Sequence, residues 1–365
     1  MHILLTEPFF TGSHRQWAQG LAAHSRHQVE LLTLPGRHWK WRMYGGAVEL
    51  ARRFNELETL PDLILATDML DVATFLALTR ERSAGIPVAL YFHENQITYP
   101  WSPDDEDVKL GRDNQYGFIN YTSALAADRV FFNSHFHRNS FLEALPGFLK
   151  QFPDFRGLEN IGAIEAKSEV LPLGMDLRAF DEHAIGKAEQ APVLLWNHRW
   201  EYDKGPELFF KALFRLKEEG VEFKLIVLGE AFGKYPPIFD EAKERLSEEL
   251  LHFGYAADFS TYARLLWQAD ILPVTSRQDF FGGSVVEAIY CGCYPLLPNR
   301  LAYPEHLPEA IHGAHFYENE NDFFPALKRL LQTWNEVPKF PGKQYVEKYD
   351  WQRLIAVYDG ALKLP

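Results

Sequence analysis

Covalent stapling is almost absent from this chain of 365 residues. Its two cysteines, Cys291 and Cys293, stand one glycine apart, too close to tie distant segments together. A reduced, cytoplasmic setting is the expectation that follows. No apolar run approaches the roughly 18 residues needed to cross a bilayer, so no membrane span is expected. The opening MHILLTEPFF lacks a charged region followed by an apolar one, so no secretion signal is read there. Positive charge is in deficit, with 37 Lys and Arg against 50 Asp and Glu and a formal net charge of −13. That balance argues against indiscriminate nucleic-acid binding, although a local basic surface is compatible with it. No G-x-G-x-x-G follows a candidate strand, which excludes the dinucleotide fingerprint. No Asp-x-Asp stands at a strand end to hold a metal, and no internal repeat is visible.

What the chain does contain is a large apolar supply, 47% hydrophobic and 15% aromatic, enough for two cores. Short β-branched runs alternate with amphipathic segments, the pattern of a parallel α/β sheet. Candidate strands are 2–6, 28–34, 62–67, 87–93, 129–134 and 169–174 in the first half. In the second half they are 192–198, 223–229, 250–255, 270–276 and 293–299. The reading is an α/β fold of two Rossmann-like, doubly wound domains, residues 1–180 and 192–344, facing across a deep cleft. The polar segment 181–191 is read as the linker, and a last helix, about 345–365, as packing back on the first domain.

In open α/β sheets ligands sit beyond the carboxyl ends of strands, and those ends are chemically unusual here. Gly12-Ser13-His14 opens a helix after the first strand; a glycine-serine turn offers backbone donors to a phosphate, or Ser13 is a plain helix cap. The apolar run 87–93 ends in His93-Glu94-Asn95-Gln96, four polar groups that are costly to bury unless paired or bound to something. Arg199 and Lys204 straddle the next domain's first turn, a pair suited to a diphosphate. Gly229-Glu230 and Gly254-Tyr255 let a flat base approach closely. The stretch DFFGGSVVEA carries Asp279 and Glu287 around Phe281-Gly282-Gly283-Ser284. Ser284-x-x-Glu287 fits a capping box, yet a glycine turn at a helix start also presents free N–H groups to an anion. With five other strand ends of this kind, a sugar nucleotide is the reading: sugar near Asp279, diphosphate at 282–284, ribose hydroxyls at Glu287. The acid run 104–107 reads as a solvated loop, and His135-x-His137, diverging around a helix, as no metal site. Arg37-His38-Trp39-Lys40-Trp41-Arg42 interleaves cations with two indoles, the mix that grips phosphates and stacks loop bases; the alternative is tryptophans packed inward under a basic fringe.

Taken together, two Rossmann-like units, an Arg–Lys pair and an acid-x7-Glu motif resemble the retaining GT-B glycosyltransferases of family 4. More narrowly, TEPFFTGSHRQW, LPGRHWKWR, YFHENQ, DNQYGF, HRWEYDKGPELFFKAL and FFGGSVVEAIYCGCYPL resemble the family of tRNA-queuosine α-mannosyltransferases. The resemblance implies GDP-mannose as co-substrate, a tRNA bearing queuosine as acceptor, retention at the anomeric carbon, and no metal or other cofactor. It implies that Arg199 and Lys204 hold the diphosphate, Glu287 the ribose, Asp279 the sugar hydroxyls, and that His93 lies by the reaction centre. Gly12, Ser13, Gly229, Glu230, Tyr255 and Phe281 to Ser284 would complete the donor site. His14, Arg37, Trp39, Lys40, Trp41, Arg42, Glu94, Asn95, Gln96, Gln115 and Tyr116 would face the acceptor. One position departs from the family pattern, which has glutamate where this chain has Asp279. Rival readings are a nucleotide-sugar epimerase or hydrolase on the same fold, a GT-B glycosyltransferase with another nucleotide sugar and a saccharide or lipid acceptor, and, from another class, a two-lobed binding protein without chemistry.

Overall fold

Each of the eleven β-branched and apolar runs forms a strand, because a run apolar on both faces is stable only inside a parallel sheet covered by helices. The strands are β1 His2–Phe10, β2 Gln28–Pro35, β3 Leu63–Thr67, β4 Val88–Phe92, β5 Arg129–Phe132, β6 Ser168–Val170, β7 Val193–Asn197, β8 Lys224–Leu228, β9 Leu250–Gly254, β10 Ile271–Pro273, β11 Tyr294–Pro298 and β12 Phe316–Tyr317. The computed structural model describes residues 1–102, 105–187, 191–231 and 235–363. The strands form two six-stranded sheets, ordered β2-β1-β3-β4-β5-β6 and β12-β11-β10-β7-β8-β9, and every pairing is parallel. β12, two residues long, is too short to leave a sequence signal.

The chain divides into two compact units: Met1–Met175 with the segment from Trp351 onward, and Asp176–Asp350. The segment read as a linker, 181–191, is not simply a tether. Asp181 lies in a 3-10 turn, Arg178–His183, and its carboxylate accepts from Lys343 Nζ at 2.7 Å and Tyr290 Oη at 3.0 Å. A polar composition reads alike whether solvated or anchored, hence the misreading; residues 188–190 lie outside the described ones.

The last helix is Trp351–Ala361, not a single element from 345; residues 343–349 form separate short turns in the second unit. It belongs to the first unit because that unit has sockets for it. The Trp351 ring is buried where two glycines leave room: a Cβ at Gly20 would stand 2.0 Å from its Nε1, and one at Gly174 2.5 Å from its ring. Trp17 Nε1 donates to Tyr358 Oη at 2.9 Å, and Ser25 Oγ to Asp359 Oδ1 at 2.6 Å.

Removing a fully buried indole leaves a cavity the glycines cannot collapse to fill. Trp351→Ala is expected to cost about 3–5 kcal/mol, read by denaturant melting with a probe in the first unit; a loss below about 1 kcal/mol would show that the helix is not integral to it.

Candidate active site

In both sheets the strand order reverses direction beside the first strand, between β1 and β3 and between β7 and β10. Such switch points open a crevice at the carboxyl ends of the strands. The polar groups converge there.

In the first unit, Glu7 near the end of β1 is wholly buried. Its Oε1 accepts from Phe9 N at 2.7 Å, and its Oε2 lies 2.8 Å from His14 Nδ1. His14 sits in the first turn of the helix Gly12–His24, whose start at Gly12 (φ +49°) carries no side-chain cap. The Ser13 cap is therefore not made; Ser13 is exposed, and the N-terminal N–H groups stay open. The His14 ring lies 4.2 Å from that of His93. His93 donates its backbone N–H to Asp68 Oδ1 at 2.7 Å, and its buried Nε2 has no hydrogen-bond partner. Burial disfavours a charge on His14, but Glu7 foremost, then Asp68 and Glu94, outweigh it and push the imidazole up to about 9. His14 is thus a buried imidazolium. Burial first, then the positive His14, hold His93 well below the ordinary histidine value, hence neutral.

The remaining groups after β4 mostly serve the loop itself. Asn95 Oδ1 accepts from Ile97 N and Thr98 N at 3.1 and 2.9 Å, closing an Asx turn. Gln96 donates its amide nitrogen to Glu94 Oε1 at 2.9 Å and its backbone N–H to Asn120 Oδ1 at 2.7 Å. Among the described residues, Glu7, His14 and His93 are one group whose donor atoms come within 4.8 Å, as a shared cation would require. The 2.8 Å between Glu7 and His14 is a hydrogen-bond length, whereas two nitrogen or oxygen ligands of a tetrahedral zinc stand about 3.3 Å apart. Of the histidines at 135 and 137, His137 turns inward to Asn133 at 2.9 Å while His135 is exposed.

The basic aromatic stretch splits in two. Trp39 packs in a cluster with Trp101 and Tyr116, ring centroids 6.0 and 5.3 Å away. Trp41 is 62% exposed, and Arg37 is exposed. Arg42 Nε donates to the Pro35 carbonyl at 3.0 Å. Lys40 is held by Asp105 and Asp107, each at 2.6 Å, and Tyr116 donates to Asp107 at 2.9 Å. Asp105 and Asp107 are therefore not the solvated loop residues the acid run suggests, whereas Glu106 is exposed; Asp104 lies outside the described residues. These carboxylates were invisible in sequence because they stand 65 and 67 positions from Lys40. Gln115 is exposed beside the buried Tyr116.

In the second unit, Lys204 is buried after β7, its Nζ 2.6 Å from the Gln278 carbonyl, 3.0 Å from Asp279 Oδ1 and 3.2 Å from Asp203 Oδ2. Burial works against both charges, but their attraction keeps Lys204 above and Asp279 below their ordinary values. Tyr303 donates its hydroxyl to Asp279 Oδ2. Arg199, about half exposed, lies 3.3 Å from Glu201. The helix Gly283–Tyr290 is N-capped by Gly282 (φ +83°) with no side-chain cap bond. The capping box is thus overturned: Ser284 is already helical, and Glu287 bonds Tyr262 Oη instead. Tyr262 is braced by Asn197 Nδ2 at 3.0 Å, which also donates to the Ser284 carbonyl at 3.0 Å. Burial raises Glu287 to about 7 against the pull of Tyr262. Ser284 Oγ lies 3.4 Å from His198 Nδ1. At Gly229 (φ +125°) a Cβ would meet the His198 carbonyl at 2.0 Å, whereas at Gly254 it would meet nothing; the Glu230 carbonyl accepts from Trp200 N at 3.1 Å, and Tyr255 is 67% exposed. Phe281 packs edge-on against His306 and Tyr349.

A cationic turn, an uncapped glycine helix start and paired acids, carried on two parallel α/β sheets, mark the chain as a glycosyltransferase of the GT-B type. Residues 178–341 match the family model described as glycosyl transferases group 1. Sucrose-phosphate synthase from Thermosynechococcus elongatus superposes with a TM-score of 0.69 at 14% identity, over 99% of this chain and 98% of that one. A glycosyltransferase from Rickettsia africae does so at 0.65 and 15%, over 100% and 99%; both likenesses are of fold. Residues 2–175 match the model for the tRNA-queuosine alpha-mannosyltransferase N-terminal region. A Drosophila melanogaster protein named tRNA-queuosine alpha-mannosyltransferase is 35% identical over 97% of this chain and 93% of its own length. The chain belongs to the tRNA-queuosine α-mannosyltransferase family.

Reasoning from sequence missed Glu7, Asp68, Asn197, Tyr262 and Tyr303, of which all but Glu7 act across the fold rather than along the chain. Only Glu7, an acid inside an apolar strand, carried a signal that could have been read. The Glu7–His14 pair makes stability depend on pH. Because the imidazole rises from 6.5 to about 9, its contribution is full below pH 6.5 and is lost as pH rises through 9. Glu7→Gln should therefore destabilise by roughly 3 kcal/mol near pH 6 and by much less at pH 10, measured by denaturant unfolding; a penalty independent of pH would refute the imidazolium.

Proposed function

We propose that this protein transfers mannose from GDP-mannose to the queuosine base of a tRNA anticodon, with retention of configuration, in the cytoplasm. The observation that carries the reading is the 35% identity to the Drosophila melanogaster tRNA-queuosine alpha-mannosyltransferase over nearly the whole length of both chains. Among the described residues no helix is long and apolar enough to cross a membrane.

The second unit would hold the donor. The open N-terminus of the helix Gly283–Tyr290 is aimed to receive a diphosphate, with Arg199 and Lys204 supplying positive charge. Lys204 donates to the Gln278 carbonyl and to Asp279 and forms an ion pair with Asp203, which leaves one proton for a phosphate. Glu287, near its titration point when free, becomes a committed acceptor once ribose hydroxyls donate to it. Asp279 would meet the transferred sugar. As the glycosidic bond breaks, charge grows on the departing diphosphate, and fixed donors stabilise it without reorganising. Front-face attack by the acceptor hydroxyl, with that diphosphate taking its proton, gives retention.

The first unit would hold the acceptor. The neutral His93 with its unpartnered Nε2 is suited to hydrogen-bond a hydroxyl at the reaction centre. Exposed Trp41 and Arg37 suit a base and a phosphate. Lys40 reaches a phosphate only by leaving Asp105 and Asp107.

With GDP-[¹⁴C]mannose, label should enter tRNA carrying queuosine and not tRNA lacking it. Equal labelling of both, or labelling of a small sugar or lipid alone, would defeat the acceptor assignment and leave the glycosyltransferase.

Charge on the leaving group is met by Arg199, Lys204 and the helix start, so turnover should survive EDTA. Complete loss of turnover, restored by Mg²⁺ or Mn²⁺, would overturn that expectation.

A further inference from the structure

We infer that Tyr303 is a positioning residue of the donor site, fixing the Asp279 carboxylate and the Gly282 turn at once. This inference rests on the proposed reading of Asp279 as the group that meets the transferred sugar.

Tyr303 opens a 3-10 turn, Tyr303–His306, and its side chain is wholly buried. No substrate reaches it there, so whatever it does passes through a neighbour. Two neighbours belong to the loop 279–283. The hydroxyl donates to Asp279 Oδ2, while Oδ1 of the same carboxylate faces Lys204 Nζ at 3.0 Å. The ring lies directly beneath Gly282, where a Cβ would stand 3.0 Å from Cε1. The same turn holds the loop a second time: neutral His306, lowered to about 4 by burial, places Nε2 2.7 Å from the Phe281 carbonyl.

Lys204 alone is a point of charge about which a carboxylate can swing. A second donor on the other oxygen sets the plane of the group. The two contacts together fix where the Asp279 carboxylate stands. The ring beneath Gly282 keeps the left-handed turn at the spacing that leaves the helix start uncapped. One side chain therefore sets the distance between the sugar-facing acid and the phosphate-facing turn.

Tyr303→Phe keeps the ring and removes the hydroxyl. GDP affinity by calorimetry should stay within twofold, while kcat/KM for the sugar nucleotide falls roughly tenfold, carried in kcat. The double variant Tyr303→Phe/Asp279→Asn should lose little more than Asp279→Asn alone, since coupled residues are non-additive. The inference is overturned if kcat/KM is unchanged, if GDP and the sugar nucleotide weaken alike, or if the two losses simply multiply. Should Tyr303→Phe fail to fold, selectively labelled wild-type protein gives the answer by NMR: the Tyr303 hydroxyl proton should resist exchange and lose that protection in Asp279→Asn, and free exchange in the wild type would sink the idea. That arm needs no substrate. A wrong donor would instead appear as wild-type protein inactive with GDP-mannose and a hydroxyl proton still protected.

Discussion

A buried ammonium organises the second unit. Taking Lys204 out of water costs several kcal/mol unless its charge is met, and it is, by hydrogen bonds to Gln278 and Asp279 and an ion pair with Asp203. Those partners lie on two different segments, so the turn after β7 and the loop after β10 are fastened together. Thr275 Oγ1 adds to the join, lying 3.0 Å from both the Lys204 and the Gly205 carbonyls. The approach is so close that only glycine fits at 205, where φ is +69° and a Cβ would meet the Thr275 carbonyl at 2.4 Å. The open helix start and the acid pair are placed relative to this knot.

The first unit answers the same problem with a different cation. Glu7 holds a proton on His14, not a fixed ammonium, and that charge adds to burial in keeping the adjacent His93 neutral. One switch point thus carries a permanent ion pair and the other a titratable one. The two units differ correspondingly in what pH can alter.

Much of this was legible in sequence because it is local. Strand positions, the glycine step at 282–283 and the cations at 199 and 204 announce themselves within ten residues. The capping box failed for a local reason too: the motif was present, but Gly282 took the cap position two residues early, releasing Glu287 to Tyr262. The rest was not legible because it depends on contacts across the fold. Asp279 reads as a sugar ligand in sequence; that Tyr303 and Lys204 already claim both of its oxygens follows only from the sheet order that brings residues 24 and 75 positions away beside it. Lys40 shows the same limit, since its pairing with Asp105 and Asp107 depends on how the segment after β4 folds back.

The helix Trp351–Ala361 has a consequence for how the protein is made. Synthesis runs from the N-terminus, so the sheet β1–β6 is complete on the ribosome long before its last helix exists. Until residue 351 emerges, the socket between Gly20 and Gly174 stands open to water, and Trp17 and Ser25 lack their partners on Tyr358 and Asp359. The second unit, uninterrupted in the chain, has all its strands before the first is closed. The order of translation is therefore the reverse of the order of completion, and the nascent first unit is the species with apolar surface for a chaperone to cover.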